Sequence, residues 1–362
     1  MPMPAVTPVI RSDAHLAHAG LVELASGVEI PCWESPERAV VIEAALRAQG
    51  GFAFEEPSEH GAEAILRVHD ADMVDVVENA WTDAAAAGAV DGARSLIADT
   101  FLLGPYTERM QVGDPPTARH LRLGARCFDT ATPIVAGTAG AARVAVDVAL
   151  STAERALAGE PLAYGLCRPP GHHAAGAMFG GYCYFNNAAI VAQWLIDQGA
   201  ARRIAIVDID YHHGNGTQQI FWERGDVLYV SLHADPMRAY PYFSGNASET
   251  GSGDGAGLTR NWPLPARTVF DEYATALSEA LDLVSAFDAD GPIIISAGFD
   301  TFERDPIGDM ALRTPDYSRI GEMIGALGAR LIVLQEGGYA LDALGANAVA
   351  LLNGLRQSDE PG

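Results

Sequence analysis

Four short segments of this chain gather side chains able to hold a cation, move a proton or polarise a carbonyl. In VDIDYHHGNG, from Val207 to Gly216, an apolar run ends in acids and histidines. Asp210 and His212 stand two residues apart, so in extended chain they face one side and can share a cation. One carboxylate and one imidazole suit zinc or ferrous iron. Asp208 lies on the same face one step back, where it can orient that set. The alternative is a polar strand end in a solvated loop, and the cost of unpaired buried charge argues against it. In RPPGHH, His172 and His173 follow a rigid Pro-Pro-Gly turn as ligands, as an acid/base pair, or as an ordinary loop dipeptide. Asp300 ends the apolar stretch before GFD as a ligand or a helix N-cap. In EGGY two glycines admit close backbone approach, and Tyr339 either reaches inward or is a core tyrosine.

Positioning such groups requires a regular frame, and the second half of the chain has one. RIAIVD, residues 203–208, is continuous, apolar and rich in β-branched residues, as expected of a strand buried on both faces. Further strands are predicted at 163–167, 227–231, 292–296 and 330–334. Helices are predicted at 186–199, 218–224, 269–287, 315–327 and 342–355, with a long Gly/Pro/Ser-rich loop over 233–258. Strand and helix in alternation imply an α/β fold: a mostly parallel central sheet with helices on both faces. No repeat or linker divides residues 1–362, so a single large domain is expected; the Ala-rich stretch 84–93 reads as helix and turn as readily as linker. All four polar segments fall at strand carboxyl ends, where such sheets bind ligands.

Composition narrows the function classes. Apolar residues at 49% against 19% charged describe a globular chain and exclude a disordered one. Acids number 47 against 23 basic residues, a formal charge of −24, and no lysine occurs, so the basic residues besides histidine are all arginine. That field repels phosphate backbones and argues against a nucleic-acid partner. It suits a cationic small molecule, and equally a merely soluble surface. No run reaches the roughly 18 apolar residues of a membrane span. Residues 1–20 lack a signal-like apolar core, so the expected location is cytoplasmic. Cys32, Cys127, Cys167 and Cys183 fit neither a CxxC metal site nor a disulfide scaffold and read as reduced, mostly buried thiols.

CRPPGHHA, MFGGYC, NNAA, HHGNGTQ, ERGDV, TPDY and EGGY recur in an order that resembles the arginase/deacetylase-fold amide hydrolases, both histone deacetylases and bacterial acetylpolyamine amidohydrolases. The resemblance runs from about Cys32 to Leu355 and is tightest after Cys167. It implies a three-layer arginase/deacetylase-like fold and zinc-dependent hydrolysis of an acylated amine, by water attack without a covalent acyl-enzyme. By resemblance, Asp210, His212 and Asp300 hold one Zn2+ per chain, and His172 and His173 are the tandem acid/base pair. Asp208 backs His172, while Asn215 stands where many deacetylases place an aspartate behind the second histidine, so His173 is expected to be less biased toward its charged form. Tyr339 is the implied transition-state tyrosine. Tyr182 and Tyr240 are implied tunnel walls, and Gly181 a carbonyl contact to substrate. Asp208, Asp210, His212, Ser231 and Leu232 match a structural K+ or Na+ site.

Substrate choice is the open part of that resemblance. Where polyamine-specific relatives carry glutamates, alignment puts His120 and Ala131, and Ile307 stands near a third such position. An acetylpolyamine preference then rests on overall similarity and net charge, with an acetyl-lysine-like or other short acylamide as the alternative. The loop 109–138 matches the segment through which bacterial relatives pair and narrow the tunnel, which implies a homodimer. A binuclear manganese ureohydrolase would need aspartates where Gly214 and Phe302 stand. A non-catalytic acyl-binding protein would be expected to have lost a ligand or the tyrosine.

Overall fold

The computed structural model describes residues 6–90, 95–108 and 113–357. Among the described residues ten strands form: β1 (Thr7–Ile10), β2 (Val22–Ala25), β3 (Val28–Pro31), β4 (Phe52–Glu55), β5 (Leu162–Gly165), β6 (Ile204–Asp208), β7 (Val227–Ala234), β8 (Thr259–Leu264), β9 (Ile293–Ala297) and β10 (Leu331–Gln335). β2 and β3 make a separate antiparallel hairpin, and the other eight make one sheet in the order β4-β1-β5-β10-β9-β6-β7-β8. Every pairing within that sheet is parallel.

Alternate side chains of the central strands enter two different cores, which is why they read as unbroken apolar runs. Ala205 and Val207 of β6, with Ile293 and Ile295 of β9, pack toward the helices Pro36–Gln49, Phe270–Phe287, Thr314–Gly325 and Leu341–Gln357. Ile204, Ile206 and Ile294 pack instead toward the helices Ala71–Ala86, Thr138–Leu157 and Asn187–Asp197. Helices therefore cover both faces, as expected. At roughly 1.5–3 kcal/mol for each fully buried aliphatic side chain, these strands anchor whatever follows them.

The topology locates the crevice. From β6 the chain steps through β7 to β8 at one edge, then returns to β9 on the other side of β6 and continues to β10. The order reverses between β6 and β9, and such a switch point opens a ligand crevice beyond the strand carboxyl ends.

Several sequence expectations shift. The helix predicted at 218–224 spans Asn215–Phe221, because Gly214 already caps it and Asn215 and Gly216 form its first turn. β7 runs to Ala234, three residues beyond its expected end, so the long loop begins after it, and β8 follows that loop. The Ala-rich stretch is the end of the Ala71–Ala86 helix and a turn, while 91–94 lie outside the described residues. All four cysteines are free and buried.

Candidate active site

Five neighbouring strands, β5, β10, β9, β6 and β7, deliver the chemically distinctive residues from their carboxyl ends. The expectation that Asp210 and His212 extend β6 is corrected: ladder pairing stops at Asp208. Beyond it, each acid captures the amide two residues on. Asp208 Oδ1 accepts from Asp210 N at 3.2 Å, and Asp210 Oδ1 accepts from His212 N at 2.8 Å. These tight turns, not strand alternation, bring the side chains together.

Asp300 arrives from the end of β9, across the switch point. Its Oδ1 accepts from Tyr211 N at 3.0 Å, and its Oδ2 lies 2.9 Å from His212 Nδ1. Asp210 Oδ1 lies 3.4 Å from the same ring nitrogen. One donor atom from each of Asp210, His212 and Asp300 falls within 4.8 Å of the other two, and all three residues are buried. Burial, and then the neighbouring Asp210 charge, push Asp300 above the usual carboxylate range, a cost that a bound cation would reverse. Glycines keep the place open. A Cβ at Gly337 would lie 2.4 Å from Asp300 Oδ2 and 2.6 Å from Asp210 Oδ2, and one at Gly298 only 2.0 Å from Asp210 Oδ2. Two oxygens and one nitrogen from a buried acid/imidazole set fit zinc.

A second group, His172, Cys183 and Glu336, is equally close. It fits a metal poorly. Burial holds the Cys183 thiol protonated, and Glu336 Oε2 is taken by the amides of Gly171 and His172 at 2.7 and 3.1 Å.

The tandem histidines lie with ring centres 4.0 Å apart, yet their surroundings oppose one another. His172 Nδ1 is 3.1 Å from Asp208 Oδ2, which also accepts from the Tyr229 hydroxyl at 2.9 Å. Burial works against charge on His172, but Asp210 and Asp208 overcome it and raise its pKa to about 10. His173 is driven well below the usual histidine range, first by burial and then by His172 and His212. Its Nδ1 lies 2.7 Å from Asn215 Oδ1. A carbonyl only accepts, so Nδ1 carries the hydrogen and Nε2 keeps a lone pair.

Tyr339 follows β10, its amide bonded to Asp305 Oδ2 at 2.7 Å and its ring under the Arg38 guanidinium at 4.7 Å. Arg38 is itself tied to Gly338 O and Glu336 O. Burial keeps the tyrosine protonated, although Arg38 pulls the other way. His173, His212, Gly181, Tyr182, Tyr240 and Tyr339 line one cavity of about 450 Å³. Tyr182 sits 5.9 Å from the Tyr339 ring, and Tyr240 meets His173 edge-on at 5.1 Å. Gly181, at φ +58, passes so close that a Cβ would lie 2.3 Å from His173 Cδ2. Asp129 fastens both walls, its Oδ2 accepting from Gly181 N at 2.7 Å and from the Tyr240 hydroxyl at 2.8 Å.

Ser231 pairs with Asp208 in register, but its hydroxyl is occupied by His233 Nδ1 at 2.8 Å. Leu232 is buried and offers only its carbonyl. Of the aligned specificity positions, Ala131 and Ile307 line the cavity, whereas His120 stands outside it in the short Arg119–Arg122 turn. Of the 109–138 loop, residues 109–112 lie outside the described residues. Farther along, Arg119 and Arg122 are paired to Asp75 of the Ala71–Ala86 helix. Asp129, Arg38, Asp305 and Glu23, which also lines the cavity, carried no local sequence signal, since each reaches the site through long-range packing.

Comparison with known proteins gives a consistent picture. Residues 32–355 match the family described as the histone deacetylase domain. The chain is 44% identical over 345 residues to acetylpolyamine amidohydrolase 1 of Pseudomonas aeruginosa, covering 95% of this chain and 97% of that protein. It is 43% identical over 347 residues to acetylpolyamine amidohydrolase of Mycoplana ramosa, covering 96% and 99%. Among solved structures it is similar to acetylpolyamine aminohydrolase from Burkholderia pseudomallei, with TM-score 0.89 and 34% identity over 96% of this chain and 98% of that one. The HDA15 HD domain gives TM-score 0.78 and 30% identity over 96% and 90%.

Proposed function

Because the chain belongs to the histone deacetylase domain family, we propose that it is a zinc-dependent amide hydrolase that deacetylates acylated amines, acetylpolyamines foremost. The observation that carries this reading is the convergence of Asp210, His212 and Asp300 beside two oppositely biased histidines at one cavity. The names of the relatives from Pseudomonas aeruginosa and Mycoplana ramosa supply the substrate class.

Asp210, His212 and Asp300 hold one zinc per chain. When bound, that ion supplies a Lewis acid that lowers the pKa of water and polarises an amide carbonyl. His173, neutral and with a free Nε2, takes the proton of the attacking water. His172, kept cationic by Asp208 and Asp210, lends positive charge to the site without competing for that proton. The Tyr339 hydroxyl donates to the carbonyl oxygen as negative charge develops there. A histidine-borne proton then passes to the departing amine. Tyr182 and Tyr240 wall the acyl-bearing chain, and the Gly181 carbonyl receives the substrate N–H.

In the same reading the whole chain works as one catalytic domain in the cytoplasm. It pairs as a homodimer through the 109–138 loop, and K+ or Na+ sits among Asp208, Asp210, His212, Ser231 and Leu232. No helix among the described residues is long and apolar enough to cross a membrane. The partner is a small acylated amine and not nucleic acid. The test is Tyr339→Phe in the zinc-loaded enzyme with an acetylated diamine. Loss of one oxyanion donor predicts a fall in kcat of about 10²–10³ with zinc content unchanged, and full activity would overturn the assignment.

A further inference from the structure

Three loops that build the cavity share a polar cluster that the chemistry above does not use. Tyr211 follows β6, Arg238 follows β7, and Asp309 lies between β9 and the Thr314–Gly325 helix. Asp309 Oδ1 accepts from the Tyr211 hydroxyl at 2.8 Å, and its Oδ2 is paired with Arg238 Nη1. Arg238 Nη2 donates to Leu264 O at 3.0 Å, at the end of β8. The planar fork of the guanidinium lets one side chain hold a carboxylate and a carbonyl together.

The joined loops carry wall residues. The turn after β7 supplies Arg238, Tyr240 and Tyr242 to the cavity, the loop after β9 supplies Ile307, and Tyr211 lines it as well. Each loop is fastened separately to its own surroundings. Ala239 N donates to Asp235 O at 3.1 Å, and the Tyr240 hydroxyl donates to Asp129. Ile307 N donates to Asp305 Oδ1 at 3.0 Å, and Asp309 O accepts from Arg267 N at 2.9 Å. Among the described residues, the Arg238–Asp309 pair is the only hydrogen bond or ion pair joining 235–243 directly to 303–312. The two side chains are 28% and 44% exposed, which puts the pair where the cavity meets solvent. An ion pair so exposed adds little to stability, so its removal leaves the fold intact and frees the two loops from each other.

Resting on the hydrolase reading, we propose that Arg238 and Asp309 form a clasp that fixes the width of the cavity mouth. They are positioning residues for selectivity. The clasped cavity takes acylated amines with an unbranched carbon chain and rejects those branched at the carbon that bears the distal amine. Pairing also neutralises the only arginine among the described residues lining the cavity, so a cationic chain is not repelled at the mouth.

The experiment compares N-acetylcadaverine with the N-methylamide of Nε-acetyl-lysine. Both have the same acetylated chain and one distal ammonium, and the second adds a carboxamide branch at the distal carbon. Charge at Arg238 therefore acts on the two alike, and only the branch separates them. kcat/KM is measured for both in zinc-loaded wild type, Arg238→Met, Asp309→Asn and the double variant. The ratio of the two substrates is taken within each preparation, so any loss of folded protein cancels. Wild type favours the unbranched chain. Each single variant lowers that ratio about 10-fold, the scale on which a pocket discriminates by size, mainly through a lower KM for the branched amide. The double variant falls no further, because either change alone opens the clasp. An unchanged ratio in both single variants overturns the proposal, as does a wild type that does not favour the unbranched chain. A fall confined to Arg238→Met also overturns it, by making Arg238 a substrate contact in its own right, and so do falls that add in the double variant. Turnover of neither substrate by wild type overturns the hydrolase reading itself, and this assignment with it.

Discussion

Acidification should weaken this protein through His69, a buried residue that holds the loop following His172 and His173. His69 is 3% exposed, and each ring nitrogen has a defined task. Nδ1 lies 3.0 Å from the carbonyl of Ala175, two residues after His173, and must donate. Nε2 accepts from the amide of Asn186, at 2.9 Å, and must keep its lone pair. A proton on Nε2 would set donor against donor. Burial accordingly lowers the His69 pKa from 6.5 to about 4. The sign follows directly: below pH 6.5 the unfolded chain takes the proton and the folded one does not, so stability is lost as pH falls from 6.5 toward 4. Between pH 8 and pH 5 the linkage amounts to about 2 kcal/mol. Replacing the ring by His69→Phe removes the titration but leaves the Asn186 amide and Ala175 carbonyl unpaired, costing about 2–4 kcal/mol at pH 8. Urea unfolding followed by circular dichroism, at both pH values and equal metal loading, separates the two effects. Wild type should lose about 2 kcal/mol more than the variant on going to pH 5, other histidines cancelling between the proteins. Equal losses would refute the reasoning.

Two other substitutions probe the frame of the site. Gly337→Ala would set a methyl between Asp210 and Asp300, 2.6 and 2.4 Å from their Oδ2 atoms, and should yield a folded protein that retains little zinc after dialysis; normal metal content would contradict the packing argument. Arg168 is buried against Glu34 at 2.7 Å and donates to His15 O and His18 O. Arg168→Met leaves that buried carboxylate with Arg38 alone, at 3.1 Å, and strips both carbonyls of their donor; it should lower unfolding free energy by roughly 3 kcal/mol in urea titrations, whereas a change within experimental error would refute the buried-pair account.

The sheet was legible where strands are buried on both faces, because an unbroken β-branched run as short as RIAIVD suits a strand covered on both sides and little else. It was not legible in the first third. There β1 and β4 are four residues each, too short for periodicity to register, although β1 lies between β4 and β5 in the sheet. Within the site, the spacing of Asp210 and His212 pointed to a shared cation, but for the wrong geometric reason, since the strand ends at Asp208. Asp300 was indistinguishable from an N-cap until the family resemblance was considered, because its approach to His212 is a contact across the sheet. Glu23 illustrates the limit. Its charge sits in an unremarkable VELA strand, and only the folded hairpin brings it to the cavity wall. Asn215 was legible as the partner of His173, but the lowering of that histidine comes from burial, His172 and His212, while the Asn215 hydrogen bond pulls the other way.

The central claim is that Asp210, His212 and Asp300 hold the single zinc on which amide hydrolysis depends. The most direct measurement is metal content by elemental mass spectrometry, paired with deacetylation of N-acetylcadaverine by the same preparation before chelation, after chelation and after zinc is restored. The account predicts about one zinc per chain, loss of turnover with the metal, and recovery in proportion to zinc returned, following the one-site stoichiometry of such a ligand set. Two manganese ions per chain, or turnover that persists in the metal-free protein, would contradict it.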